Sequence, residues 1–274
     1  MQIDRTRPFL KWAGGKYRVL DKLVPHVKGS KLIEPFVGSG AVFLNLAFER
    51  YLLGDINPDL INLYGHLKRE RGKFIKYCQS FFTAENNHQS QYIAFRLEFN
   101  NGATGRRRAA LFVYLNRHGF NGLCRYNKSG GFNVPFGRYK KPYFPEKEML
   151  HFISHSRNAK FVCGDFTSLM NRSRRGDVVY CDPPYVPLSP TASFTSYAQQ
   201  GFSYDQQVEL AYRAQHLANR GVKVVISNHD NAITRSIYED AEIESFPVRR
   251  FISRDGANRG NAKELLAIYD GGVK

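Results

Sequence analysis

KLIEPFVGSG, Lys31 to Gly40, decides the fold. It opens as a short apolar strand and stops at a glycine turn, and the AVFLNLAFER that follows (Ala41 to Arg50) has the apolar spacing of a helix. Strand, turn and helix in that order form one unit of an α/β sheet. YLLGDIN (Tyr51 to Asn57), FVCGDF (Phe161 to Phe166) and DVVYCDPPY (Asp177 to Tyr185) read as further short strands that end in acids, and KVVISNHD (Lys223 to Asp230) reads as a fifth strand. Before the fifth, SYDQQVELAYRAQHLANRG carries Ser203 and Gln206 in capping-box spacing and ends at Gly221, so a helix is predicted there. Strands alternating with helices predict a parallel, doubly wound sheet, with ligands beyond the carboxyl ends of its strands. Gly38, Asp55, Asp165 and Asp182 fall at those ends.

The rhythm breaks between about Pro58 and Glu146. We expect residues 58–145 to form an inserted, mostly helical domain, with 1–57 and 146–274 forming the main one. GATGRRR (Gly102 to Arg108) is the expected exposed loop of the insertion, and Arg106, Arg107 and Arg108 are expected to meet phosphates or solvent. Near the C-terminus, VRRFISRDGANRGNAKELLAIYD reads as two short strands joined by a basic turn that includes Arg254 and Arg259.

The 274 residues can bury a full core, and their formal net charge is +16 with 16 Tyr and 21 Phe. A polyanion whose bases can be stacked upon is the partner this composition fits. The charge is uneven: nine Lys or Arg and no Asp or Glu lie between Asn101 and Pro145, a pattern suited to a face that meets phosphates. Cys78, Cys124, Cys163 and Cys181 lack paired spacing, so neither a zinc site nor a disulfide framework is suggested, and a reducing cytoplasm fits. No apolar run of about 18 residues argues for a membrane span, and the N-terminus has no secretory h-region.

Two glycine motifs are weak alone. FVGSG lets backbone approach a ligand at Gly38, and Asp55 lies at roughly the 20-residue offset where nucleotide-binding sheets place a ribose acceptor. A full GxGxxG is missing, which counts against a dinucleotide site. KWAGGK (Lys11 to Lys16) superficially resembles a phosphate loop, but no strand precedes it and no Ser or Thr follows.

DPPY carries the chemistry. The two prolines stiffen the turn and remove N–H donors, leaving carbonyl acceptors beside the Asp182 carboxylate. An acceptor-only pair suits an amine with two hydrogens to donate, and Tyr185 offers a flat face to its ring. Asp182, Pro183, Pro184 and Tyr185 are therefore the candidate catalytic residues, shaped for an aromatic amine such as adenine or cytosine.

From FLKWAGGK through EPFVGSG, GDINPDLI, LNRHGFNGLCRYN, FNVPFGRYKKPYF and DPPYVPLS to ISNHD and ELLAIY, nearly the whole chain resembles the DNA adenine methyltransferases of the Dam type, in the alpha order of cofactor turn, recognition domain and DPPY. That resemblance implies a Rossmann-like, S-adenosylmethionine-dependent methyltransferase sheet with an inserted, mostly helical DNA-recognition domain, acting on adenine N6 in duplex GATC. By similarity, Trp12, Lys16, Phe36, Gly38, Asp55, Asp165, Phe166 and Asp182 match cofactor positions; the product would be S-adenosylhomocysteine, and no metal is implied. Lys11, Phe120, Asn121, Leu123, Arg125, Pro135, Arg138 and Tyr139 match positions that read or position double-stranded DNA, with Arg125 the candidate for guanine readout. Phe120 stands where tyrosine is usual, keeping the stacking face and losing a polar contact. His118 and His229 are left outside the catalytic set, since the family's mechanism needs no general base.

The resemblance further implies a prokaryotic, cytoplasmic enzyme on chromosomal or phage DNA, monomeric because one chain holds every part, with two copies brought together only by DNA. The alternatives are an amino methyltransferase acting on cytosine, where serine more often replaces the Asp, an RNA amine methyltransferase, and a DNA-binding module that keeps the fold without catalysis.

Overall fold

A computed structural model describes residues 5–185, 202–249 and 261–270. Arg254, Arg259 and the basic turn expected near the C-terminus lie outside the described residues, as does the VPLS that follows DPPY. In chain order the elements are α1 (Leu20–Leu23), β1 (Lys31–Glu34), β2 (Arg50–Asp55), α2 (Pro58–Glu70), α3 (Gly72–Gln79), α4 (Gln89–Asn101), α5 (Gly105–His118), α6 (Glu146–His155), β3 (Ala159–Cys163), α7 (Phe166–Met170), β4 (Val178–Cys181), α8 (Tyr204–Ala218), β5 (Lys223–His229), α9 (Ala232–Ile237), β6 (Glu242–Arg249) and β7 (Asn261–Tyr269). The strands form a sheet in the order β3-β2-β1-β4-β5-β7-β6. The fold is α/β and Rossmann-like, as the strand–helix alternation predicts.

The chain divides into two compact units, Met1–Lys22 with Val37–Gly164 and Leu23–Phe36 with Asp165–Lys274. In the second unit β4 is parallel to β1 and β5, with Val178 opposite both Leu32 and Lys223. All four β4 residues are buried, as a strand between two neighbours requires. The two C-terminal strands expected beside the parallel ones form as β6 and β7, and β7 runs antiparallel to both β5 and β6. A chain that returns directly beside its neighbouring strand needs no crossover helix, so the C-terminal pair closes the sheet in the antiparallel sense. Its first strand also begins earlier than Val248, at Glu242. The helix predicted before β5 forms as α8, capped by Ser203 and Gln206 in the reciprocal manner of a capping box.

In the first unit β2 and β3 pair in parallel, Asp55 opposite Cys163. The helix expected over Ala41 to Arg50 does not form. The segment makes hydrogen-bonded turns, with Leu44 N–H to the Gly40 carbonyl and Leu46 N–H to the Val42 carbonyl, and Arg50 already belongs to β2. Side chains replace helical partners: the Tyr51 hydroxyl donates to the Leu46 carbonyl and accepts from Phe48 N–H, and Asn45 Nδ2 donates to the Thr6 and Ala41 carbonyls.

Ala109 to Leu115 of α5 are buried on every side, which makes α5 the central helix of this unit. GATGRRR is not an exposed loop throughout, because α5 begins at Gly105 and the three arginines form its first turn. Positive charge opposes the helix dipole there, and carboxylates from other elements offset it. Arg106 pairs with Glu70 at 2.7 Å, Arg107 forks onto Glu98 at 2.7 and 2.8 Å, and Arg108 forks onto Asp59. Arg106 also lies over Tyr77, Arg107 over Phe81 and Arg108 over Phe99. The expectation that these arginines meet phosphates or only solvent is corrected: they hold α2, α3 and α4 onto α5.

Candidate active site and recognition segment

β4 ends at Cys181, so the DPPY residues leave the sheet from its carboxyl edge. Ser227 of β5 donates to Asp182 Oδ1 at 3.0 Å, and its Oγ lies 3.0 Å from the buried Tyr180 hydroxyl. With Ser227 donating forward to the carboxylate, Tyr180 donates to Ser227, so two hydroxyls orient Asp182. Gln207 of α8 donates from Nε2 to the Pro184 carbonyl at 2.8 Å. Its Oε1 accepts from Asn228 Nδ2 at 3.2 Å and from the Tyr238 hydroxyl at 3.0 Å. Gln207, Asn228 and Tyr238 are all fully buried, so this network fixes one carbonyl of the turn from beneath.

No described donor takes the Pro183 carbonyl. Tyr185 donates its hydroxyl to Glu264 at 3.1 Å and stands edge-on to His229, with centroids 4.5 Å apart. Burial, then the charges of Asp182 and Glu264, push its phenol well above the ordinary value, so it remains a neutral donor. Glu264 sits opposite His229 in the β5–β7 register, so the sheet itself delivers this partner.

The same unit carries Phe36, Asp165 and Phe166. Phe36 stacks on Phe166 at 5.6 Å, and Phe202 meets both edge-on at 5.5 Å. Asp165 caps α7: its Oδ1 accepts from Thr167 N–H at 2.9 Å, from Ser168 N–H at 3.0 Å and from the Thr167 hydroxyl. The Thr167 hydroxyl and those N–H groups hold its carboxyl below the usual range. Its first task is therefore to start a helix whose leading residue is Phe166.

In the first unit Asp55 ends β2. Its Oδ2 accepts from Gly38 N–H at 3.1 Å and its Oδ1 from Asn57 N–H at 3.0 Å. Burial raises its carboxyl above the ordinary value, and the backbone donors oppose that rise. Gly38 has φ +47°, and a Cβ there would come 2.9 Å from Trp12 Nε1, so the indole lies directly on the glycine. The buried Tyr64 hydroxyl donates to the Gly38 carbonyl at 2.5 Å. Lys16 is buried, with Nζ 2.8 Å from the Gly14 carbonyl.

Ile56, next to Asp55, is 76% exposed. A bare aliphatic side chain beside a half-buried carboxylate fits a ligand with an apolar ring and hydroxyls. The sequence reading missed Ile56, Tyr64, Phe202, Gln207, Ser227 and Glu264. Ile56 stood in YLLGDIN, Gln207 in SYDQQVELAYRAQHLANRG, Ser227 in ISNHD and Glu264 in ELLAIY, yet nothing local marks any of them, and Tyr64 and Phe202 stood in no quoted motif.

Apart from Lys11, the positions expected to read or position DNA lie on an irregular segment after α5. Phe120 is 48% exposed, and its N–H donates to the Pro135 carbonyl. Asn121 and Arg138 have φ of +53° and +51°, a region costing a residue with a Cβ about 1–2 kcal/mol. The Tyr139 hydroxyl accepts from Asn121 N–H at 2.9 Å, and Lys11 Nζ sits 4.1 Å from the Tyr139 ring centroid. Arg125 donates from Nε and Nη2 to the Asn133 carbonyl at 3.0 and 2.7 Å. Three of its five N–H donors remain to reach outward. Leu123 is half-buried; Arg125, Pro135 and Arg138 are exposed. The segment brings all seven positions from Phe120 to Tyr139 together with Lys11 in one unit.

His118 is a core residue. It stacks on Tyr114 at 3.9 Å, its Nδ1 is 3.0 Å from the Tyr114 carbonyl, and burial pulls its pKa down to about 4. His229 packs on Tyr185.

A family model described as D12 class N6 adenine-specific DNA methyltransferase matches residues 12–251. The DNA adenine methylase of Escherichia coli (strain K12) is 51% identical over 272 residues, covering 99% of this chain and 98% of that protein. That of Vibrio cholerae serotype O1 is 50% identical over 269 residues, 97% of each chain. The Serratia marcescens enzyme of the same name is 51% identical, covering 97% of this chain and all of its own length. With acceptors gathered at a DPPY strand tip, and with relatives matching from end to end, the chain belongs to the D12 class of N6 adenine-specific DNA methyltransferases.

Proposed function

We propose that this adenine-specific, S-adenosylmethionine-dependent DNA methyltransferase acts on the adenine of GATC in double-stranded DNA, after that base is flipped from the stack. The observation that carries the reading is the acceptor set at the strand tip: Asp182 oriented by Ser227, and the turn fixed by Gln207 on the Pro184 carbonyl. Asp182 and the Pro183 carbonyl accept the two amine hydrogens, which favours a more pyramidal nitrogen with its lone pair turned outward. Tyr185 supplies the face on which the ring rests. Positioning and electrostatic stabilisation of charge growing on nitrogen are the protein's main contributions.

The residues present suit the methyl donor. Within one unit Asp55 offers acceptors for ribose hydroxyls and Ile56 apolar surface, with Trp12, Lys16 and Gly38 beside them; within the other Phe36 and Phe166 offer apolar surface for adenine, with Asp165 and Asp182. When bound, S-adenosylmethionine supplies a sulfonium-activated methyl carbon and leaves as S-adenosylhomocysteine.

Flipping costs a few kcal/mol in lost pairing and stacking. Phe120 fills the gap left behind, and Arg125 reads a guanine, while Lys11, Asn121, Leu123, Pro135, Arg138 and Tyr139 position the duplex. Residues 58–145 form the recognition insertion between the two catalytic segments, 1–57 and 146–274. The enzyme works as a monomer on prokaryotic chromosomal or phage DNA in the cytoplasm; no described helix is long and apolar enough to cross a membrane.

The test is methyl transfer to paired duplexes with one GATC or a scrambled site, with product nucleosides identified by mass spectrometry. N6-methyladenine on the GATC duplex alone is expected. Methyladenine on both duplexes would overturn the sequence specificity, and methylcytosine or no product would overturn the amine pocket.

A further inference from the structure

We propose that Asn116 is a positioning residue that couples DNA readout to the methyl-donor side of the enzyme. It touches neither ligand in the reading above, on which this inference rests. Asn116 lies in the last turns of α5 and is 1% exposed. Its Oδ1 accepts from Lys11 N–H at 2.9 Å, and its Nδ2 donates to the Lys11 carbonyl at 2.8 Å and to the Gly122 carbonyl at 3.2 Å. One side chain thus holds both backbone groups of Lys11 together with the turn that carries Phe120 and Asn121.

The Lys11 side chain packs directly on the Gly122 backbone. A Cβ at Gly122, whose φ is +63°, would fall 2.2 Å from Lys11 Cβ, so no side chain fits there. On the recognition side, Tyr139 reinforces the joint, accepting from Asn121 N–H while its ring lies under Lys11 Nζ. On the donor side, the residue after Lys11 is Trp12, whose indole lies on Gly38, and the Gly38 N–H is bonded to Asp55. A shift of the Phe120–Gly122 turn on cognate DNA therefore passes through Asn116 and Lys11 to the Trp12–Gly38 contact. Each link is a hydrogen bond or a packed contact with no intervening gap. Coupling of this kind is reciprocal: whatever cognate DNA does to cofactor affinity, cofactor does to DNA affinity.

Asn116→Asp keeps an acceptor for Lys11 N–H and loses both donors, leaving two buried carbonyls facing a carboxylate. The experiment measures binding of S-adenosylhomocysteine by calorimetry with no DNA, with a GATC duplex and with a scrambled duplex. In the native protein the GATC duplex tightens binding at least about fivefold more than the scrambled one does. In Asn116→Asp that ratio falls to within about twofold of unity, whatever the affinity for S-adenosylhomocysteine alone, and Asn116→Gln, which keeps all three groups, restores part of it. Should Asn116→Asp melt below the assay temperature, Asn116→Ser is read in the same way. An unchanged ratio in the folded variant, or equal effects of the two duplexes on the native protein, would overturn the inference. Absence of methyl transfer to GATC by the native protein would instead overturn the functional reading beneath it.

Discussion

The strand tip that carries Asp182 and the segment that carries Arg125 are built on opposite plans. The tip leaves a fully buried strand, and its polar atoms are set by side chains of regular neighbours: Ser227 on β5, Gln207 on α8 and Glu264 on β7. The recognition segment has only isolated bridges, Gly119 with Phe136 and Tyr126 with Phe132. Side chains of α4 hold its backbone instead, with Tyr92 and Arg96 on the Val134 carbonyl and Asn100 on both the N–H and the carbonyl of Phe132. It also contains the left-handed Asn121 and Arg138. On the function proposed above, chemistry that needs one fixed pair of acceptors falls to a sheet, while readout, which needs many groups aimed outward, falls to irregular backbone pinned from below.

The largest expected effect breaks the first side of this contrast. Asp182→Ala lowers the methyl-transfer rate by at least about 10³-fold, with duplex affinity retained, because a single preorganised electrostatic contact is worth that much at a reacting centre. Single-turnover kinetics beside a binding titration checks it, and retained turnover would refute the role of Asp182.

Next comes the support beneath the second side. Asp59 holds Arg108 of α5 and accepts from the Tyr126 hydroxyl at 2.7 Å. Asp59→Ala strands both partners and lowers stability by about 3 kcal/mol, the low end for a broken buried pair because Arg108 is partly exposed. Chemical denaturation measures it; a loss under about 1 kcal/mol would mean that the segment is held elsewhere.

The third effect is pH-dependent. His118, whose carbonyl accepts from Gly137 N–H, has a folded pKa of about 4, below the ordinary 6.5. The unfolded chain therefore takes up the proton first. The stability that the neutral ring contributes is complete above about pH 6.5 and is lost as pH falls towards 4, up to roughly 3 kcal/mol. Melting curves across that window should have a steeper acid slope in the native protein than in His118→Leu; equal slopes would contradict the assignment.

The smallest effect is on choice of sequence. Arg125→Ala relaxes discrimination at one base pair by about 1–3 kcal/mol, read as the ratio of transfer rates on cognate and singly altered duplexes.

The same contrast explains what the sequence made legible. The DPPY strand, Asp55 at the end of β2 and the Ser203 cap are local patterns, and each formed where its residues indicated. Gln207 and Glu264 gave no sign, because their partners at the strand tip, Pro184 and Tyr185, are distant along the chain. The arginines of α5 were misjudged for a related reason: the stretch free of acids excludes Asp59, Glu70 and Glu98, which lie outside it and neutralise them. Ala41 to Arg50 has helical spacing, yet Asn45 and Tyr51 offered its backbone other partners. In the recognition segment no periodicity exists to be read.

One measurement bears on the division of labour most directly: single-turnover methyl transfer by the native protein, Asp182→Ala and Arg125→Ala, each on a GATC duplex and on a duplex altered at one base pair. Asp182→Ala should lower both rates by the same factor, and Arg125→Ala should change their ratio. If Asp182→Ala changed the ratio, or Arg125→Ala lowered both rates equally, catalysis and readout would not be divided between the strand tip and the recognition segment.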